Sequence, residues 1–192
     1  MKTKTMAVNF TALGVAINLV LAFFVQTFKI PLLFLDTIGT VLVAVLFGPW
    51  WGAAAGMLTN LLQGLSNPKG VPFVIVSVVV GLLVGFIARK FDFRKWYVAV
   101  GTGILLSIVA PLIGTPIAVA VYGGLTGSGT DLLVLWLRAT GEGIFASTFL
   151  SRIAGNIVDK IGTCLFVLFL LWRVPLFQQF MLKGDKIIAQ KP

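Results

Sequence analysis

One stretch of this chain carries most of the side chains able to do chemistry: Arg152-Ile-Ala-Gly-Asn156-Ile-Val-Asp159-Lys160-Ile-Gly-Thr163. On a helix, Arg152, Asn156, Asp159, Lys160 and Thr163 fall on one side, while Ile153, Ile157, Val158 and Ile161 face elsewhere. Ionisable groups in apolar surroundings are costly unless they are paired or turned toward a wet cavity, so the polar side must look inward. Two readings stay open: Asp159 pairs with a neighbouring Arg or Lys and fixes the packing, or the cluster walls a ligand cavity. A second polar set lies earlier, where Gly52, Gly56, Thr59, Asn60 and Gln63 share one sector of a helix. An Asn and a Gln among apolar residues need hydrogen-bond partners, either neighbouring helices or a bound molecule. Asn67 belongs to the turn Asn67-Pro-Lys69-Gly, which could double as a lid. Trp136, Arg138 and Glu142 complete the candidates, although Arg138 and Glu142 have the i,i+4 spacing of a simple pair. Asp36 fits a helix cap as well as it fits a ligand contact.

Other chemistries are excluded. The chain has no histidine, which removes Ser-His-Asp and Cys-His catalysis, the usual zinc ligand and the commonest haem ligand. Its one cysteine, Cys164, sits in an apolar run and reads as a small packing residue. No metal site and no cofactor are expected. Asp159 and Glu142, the carboxylates an enzyme would use as acid and base, are joined by no recognisable spacing, so no enzyme is expected. A phosphate-binding G-x-x-x-x-G-K-[ST] loop is absent, so active transport would require an ATPase supplied by a partner.

The elements that must position these residues are membrane helices. Hydrophobic residues make up 58% of the chain and charged ones 11%, with a mean hydropathy of +1.04, far outside soluble usage. A helix needs roughly 20 apolar residues to cross a bilayer. The apolar runs predict an all-α integral membrane protein: one domain over 1–192, a compact bundle of six spans at about 7–27, 32–47, 50–66, 71–88, 97–122 and 150–172. Between the last two lies the glycine-rich linker 123–131, and 132–139 is expected as a short helix on or dipping into the membrane. With both termini cytoplasmic, Lys2, Lys4, Arg89, Lys90, Arg94, Lys95, Arg173, Lys183, Lys186 and Lys191 collect inside, against Lys29, Lys69, Arg138, Arg152 and Lys160 on the outer half. Trp50, Trp51, Trp96, Tyr97 and Trp172 then fall at cytoplasmic boundaries as interfacial anchors. Topology and lipid headgroups account for the net charge of +9, and no nucleic-acid partner is expected.

Ala12 and Ala16 stack two small side chains on one face of the first span, suited either to packing inside the bundle or to docking against another protein. Taken with Gly48-Pro49-x-x-Gly52-x-x-x-Gly56, Asn60 and the polar Asn156-x-x-Asp159-Lys160 opening of the last span, the pattern resembles the S components of energy-coupling factor (ECF) transporters over roughly residues 5 to 175. The resemblance implies a substrate-binding subunit in a bacterial or archaeal plasma membrane that captures a vitamin or similar micronutrient on the outer face. It implies partnership with a transmembrane coupling protein and two ABC-type ATPases, with Ala12 and Ala16 as the docking pair. Candidate substrate contacts are then Asn60, Gln63, Asn67, Trp136, Arg138, Glu142, Arg152, Asn156, Asp159 and Lys160, a set suited to a small polar heterocycle. The alternative is the ligand-sensing module of a signalling system, which would call for a cytoplasmic output domain, whereas only about twenty residues follow Trp172.

Overall fold

The computed structural model describes residues 2–28, 30 and 32–177, with side chains from residue 4 onward. Lys29, Lys183, Lys186 and Lys191, counted above in the charge bias, lie outside the described residues, as does the side chain of Lys2. All the described elements are helical. They are α1 (Lys2–Phe28), α2 (Ile38–Phe47), α3 (Pro49–Ser66), a 3-10 turn (Pro68–Phe73), α4 (Val74–Lys90), α5 (Trp96–Tyr122), α6 (Asp131–Ala139) and α7 (Ile144–Arg173).

The α2–α3 hairpin is built by its sequence. Gly48 ends α2 in a left-handed conformation, φ +95°, and donates its N–H to the Ala44 carbonyl, while Pro49 starts α3 where no N–H is needed. Beyond the turn the helices approach at glycines. A Cβ on Gly81 of α4 would run into the backbone of Gly52 and Ala53 on α3, and one on Gly39 of α2 would meet the backbone of Gly14 on α1. That closeness lets a polar knot form inside the bundle: Asn18 donates to Thr40 Oγ1 at 2.9 Å and Thr59 Oγ1 at 3.1 Å, and accepts from the Gly39 N–H at 2.7 Å. The apolar core beside it includes Val41, Val80, Val84, Phe93, Leu106, Val167 and Leu171, all fully buried.

Outward, the bundle presents Val20, Phe23, Leu65, Ile75, Leu112 and Phe169, all exposed. A surface this apolar belongs in lipid. Four helical stretches, Lys4–Phe28, Pro68–Lys90, Trp96–Tyr122 and Ile144–Arg173, are long and apolar enough to cross a membrane, and Ile38–Phe47 is a shorter apolar helix. This differs from six even spans for two physical reasons. Residues 32–37 leave the expected second span as irregular backbone, with Leu32 at φ 61° and Leu35 at φ 49°. The third helix mixes glycines with Thr59, Asn60 and Gln63, which lowers its hydropathy. The last helix begins at Ile144, six residues before the expected start at 150, and the expected short helix forms as α6.

The two ends of the bundle differ. One gathers the α2–α3 turn, the α4–α5 loop and the end of α7, where Trp172 Nε1 donates to the Arg94 carbonyl at 3.1 Å and the tryptophans Trp50 and Trp96 are exposed. In that loop Arg94 Nε holds Asp92 at 2.9 Å, and this side-chain bond keeps the Asp92 carboxyl below the usual range. The other end gathers the α1–α2 segment, the 3-10 turn, the glycine-rich 123–130 loop and α6.

Candidate functional site

At that second end the loops and helix ends line a half-open cavity of about 170 Å³. Its helical wall includes Asn60 and Gln63 of α3, Val76, Ser77 and Val80 of α4, Ala110 of α5, and Arg152, Asn156 and Lys160 of α7. Its loop wall includes Phe34, Asp36 and Thr37 from the α1–α2 segment, Asn67, Lys69 and Phe73 from the 3-10 turn, and Thr126, Gly127, Ser128 and Gly129.

The helical periodicity of α7 explains what faces the cavity. Asn156, Asp159, Lys160 and Thr163 are buried and Arg152 half-buried, whereas Ile157 and Val158 are exposed on the opposite face. Within this face the charges have separate roles. Lys160 Nζ donates to Asp159 Oδ2 at 2.6 Å, to Thr37 Oγ1 at 2.9 Å and to Asp36 Oδ1 at 3.4 Å. The other carboxylate oxygen of Asp159 accepts the N–H groups of Phe34 at 3.0 Å and Leu35 at 2.8 Å. Asp159 therefore clamps the α1–α2 segment where Leu35 takes its left-handed conformation. Its side chain has no exposed surface and does not line the cavity.

Several polar groups keep bonding capacity toward the cavity. Asn60 Nδ2 donates to Ser77 Oγ, bridging α3 to α4, and to the Gly56 carbonyl at 3.3 Å. Asn156 Nδ2 donates to the Arg152 carbonyl at 2.8 Å, which leaves its oxygen to other donors. Gln63 Nε2 is buried without a hydrogen-bond partner. The Arg152 guanidinium lies over the Phe73 ring, 4.9 Å from the centroid.

Of the candidates read from the sequence, Asn60, Gln63, Asn67, Arg152, Asn156 and Lys160 come together in this wall. Asp159 sits directly behind it. Trp136 and Arg138 are exposed on α6, whose one buried residue is Val134. Glu142 is exposed beyond a turn in which Gly141 takes φ +99°, so the chain leaves the helix after Ala139 and the i,i+4 pair with Arg138 does not form among the described residues. Asp36 is not a helix cap: α2 starts after Thr37, without a side-chain capping bond, and Asp36 faces Lys160 instead. Ala12 and Ala16 are both exposed on α1, while Thr11, Gly14, Val15 and Asn18 fill its inner face. Packing inside the bundle is thus not their role within this chain.

Phe34, Thr37, Phe73, Ser77 and residues 126–129 were not singled out from the sequence. Ser77 carried a signal, being the lone polar residue in the apolar run 71–88. The loop residues carried none, because their place depends on how distant helix ends meet.

A family model described as the ECF transporter, substrate-specific component, matches residues 4–191 of the chain. No curated protein and no solved structure matches it.

Proposed function

The chain belongs to the family of substrate-specific components of ECF transporters, and on that premise we propose that its cavity is the site where a small polar molecule, of the size and character of a vitamin heterocycle, is captured. The observation that carries the reading is the cavity itself: amides and cations from α3 and α7 meet at one end of a bundle whose exterior is otherwise apolar. The cavity end lies outside the cell, in a six-crossing arrangement with both termini cytoplasmic. What supports this orientation is the concentration of Arg89, Lys90, Arg94, Lys95 and Arg173 with the tryptophans at the opposite end. The setting is the plasma membrane of a bacterium or archaeon.

Transport by this family draws on a partner module, here a transmembrane coupling protein with two ABC-type ATPases. Ala12 and Ala16 supply the docking face: two exposed small side chains one turn apart let a partner helix come close. Replacing both by leucine is expected to leave binding of the co-purifying compound intact and to abolish ATP-driven uptake in cells that express the coupling module. Normal uptake by the doubly substituted protein would remove the docking role.

A further inference from the structure

Two cations in the cavity wall have no carboxylate of their own. The guanidinium of Arg152 rests on the Phe73 ring, a contact that satisfies none of its five N–H donors. Among the described residues it makes no hydrogen bond and no ion pair. Lys69, at the 3-10 turn, lies 6.0 Å from the centre of the Tyr122 ring and likewise has no acid partner there. The nearby acids are hydrogen-bonded elsewhere, although the charge of Asp131 reaches Arg152 without forming an ion pair. Asp159 is held by Lys160 and two backbone N–H groups. Asp36 faces the same ammonium at 3.4 Å. Asp131 accepts from the N–H of Thr126 at 3.2 Å, the N–H of Gly127 at 2.6 Å and the Ser128 hydroxyl at 3.3 Å. A further donor, Gln63 Nε2, is buried in the same wall without an acceptor. The spare bonding capacity of the cavity is therefore weighted toward donors, and its strongest member is a guanidinium held away from bulk water.

An unpaired guanidinium in such a place is costly unless an anion meets it, and its planar fork matches a carboxylate or a phosphate, two oxygens at a time. We propose that the captured molecule carries an anionic group, carboxylate or phosphate, which Arg152 receives inside the cavity, with Gln63 donating beside it and Lys69 drawing the anion in. The proposal rests on the cavity being the substrate site.

The test uses the full chain in detergent and matched probes that differ in charge: nicotinate against nicotinamide for the carboxylate, and pyridoxine 5′-phosphate against pyridoxine for the phosphate. Binding is read by calorimetry. The anionic member of one pair is expected to bind roughly 10- to 100-fold more tightly than its neutral partner, and the pair that shows the preference identifies the anion. Arg152→Gln is expected to erase that preference with the melting temperature of the empty protein little changed. Arg152→Lys, which keeps the charge without the fork, retains it at reduced affinity and serves if the glutamine variant does not fold. Binding of both members with equal affinity, or a preference that survives Arg152→Gln, overturns the anion assignment while leaving the cavity as the substrate site. Binding of none of the four probes overturns the anion assignment and counts against the substrate-site reading as well.

Discussion

At the scale of residues, the α7 cluster divides into a clamp and a lining. Spacing alone grouped Arg152, Asn156, Asp159, Lys160 and Thr163 on one helix face, and that grouping is what the structure has. The division between them could not be read from the chain, because the partners of Asp159 are backbone N–H groups at residues 34 and 35, more than a hundred positions away. Trp136, Arg138 and Glu142 had the right chemistry and stand outside the cavity: residue type does not tell which side of a nine-residue helix faces the bundle, and Glu142 lies past the turn that ends it. The clamp has its own test. Asp159→Asn leaves Lys160 buried with only Asp36, at 3.4 Å, to balance it. Breaking a buried pair costs about 3–5 kcal/mol, and the remaining carboxylate sets the expectation at the low end, about 3 kcal/mol. The variant should melt at clearly lower temperature while keeping its affinity when binding is measured well below the melt. A loss of affinity with an unchanged melting temperature would instead make the carboxylate a ligand contact.

At the scale of elements, the small residues were legible and their use was not. Gly48-Pro49 marks a turn, and the glycines at 52 and 56 suit either close packing or a ligand; the fold has the turn and uses both glycines for close packing. Which helix comes close is a tertiary fact: α4 meets α3 at Gly81, and α1 meets α2 through Gly14 and Gly39. Residues 32–35 defeated the apolar pattern because they are hydrophobic yet irregular, tied down by Asp159 and by left-handed backbone at Leu32 and Leu35 rather than by helical bonds. Gly81→Leu must push α3 and α4 apart, since a side chain there meets backbone that cannot rotate away. A destabilisation of roughly 3 kcal/mol or more is expected, at or beyond the upper range for overpacking. Gly162→Ala, on a face with nothing within 4 Å, should be neutral or slightly stabilising by about 1 kcal/mol, the helix-propensity difference. Thermal melts of the two variants in the same detergent check the contrast, and equal tolerance would mean that the α3–α4 contact is looser than described.

At the scale of the whole molecule, composition alone gave away the solvent. A chain with so few charges and apolar side chains on every outer face is stable only in a bilayer, and its rare polar groups then have to meet one another, a partner or a ligand. Two interior groups of them stand in contrast: the Asn18 knot, which satisfies itself, and the cavity, which does not. On the proposed function, that difference separates a polar cluster that fixes packing from one that receives a substrate. The most direct test is native mass spectrometry of the protein purified from membranes, wild type beside Asn156→Leu. The substitution removes a cavity-facing amide of similar volume, while the Ser107 hydroxyl, which donates to the Asn156 backbone carbonyl at 2.9 Å, keeps its bond. The account predicts a small molecule of constant mass on the wild-type protein and its loss from a folded Asn156→Leu variant. A wild-type protein that carries and binds no small molecule, or an adduct that the variant retains at full occupancy, would contradict it.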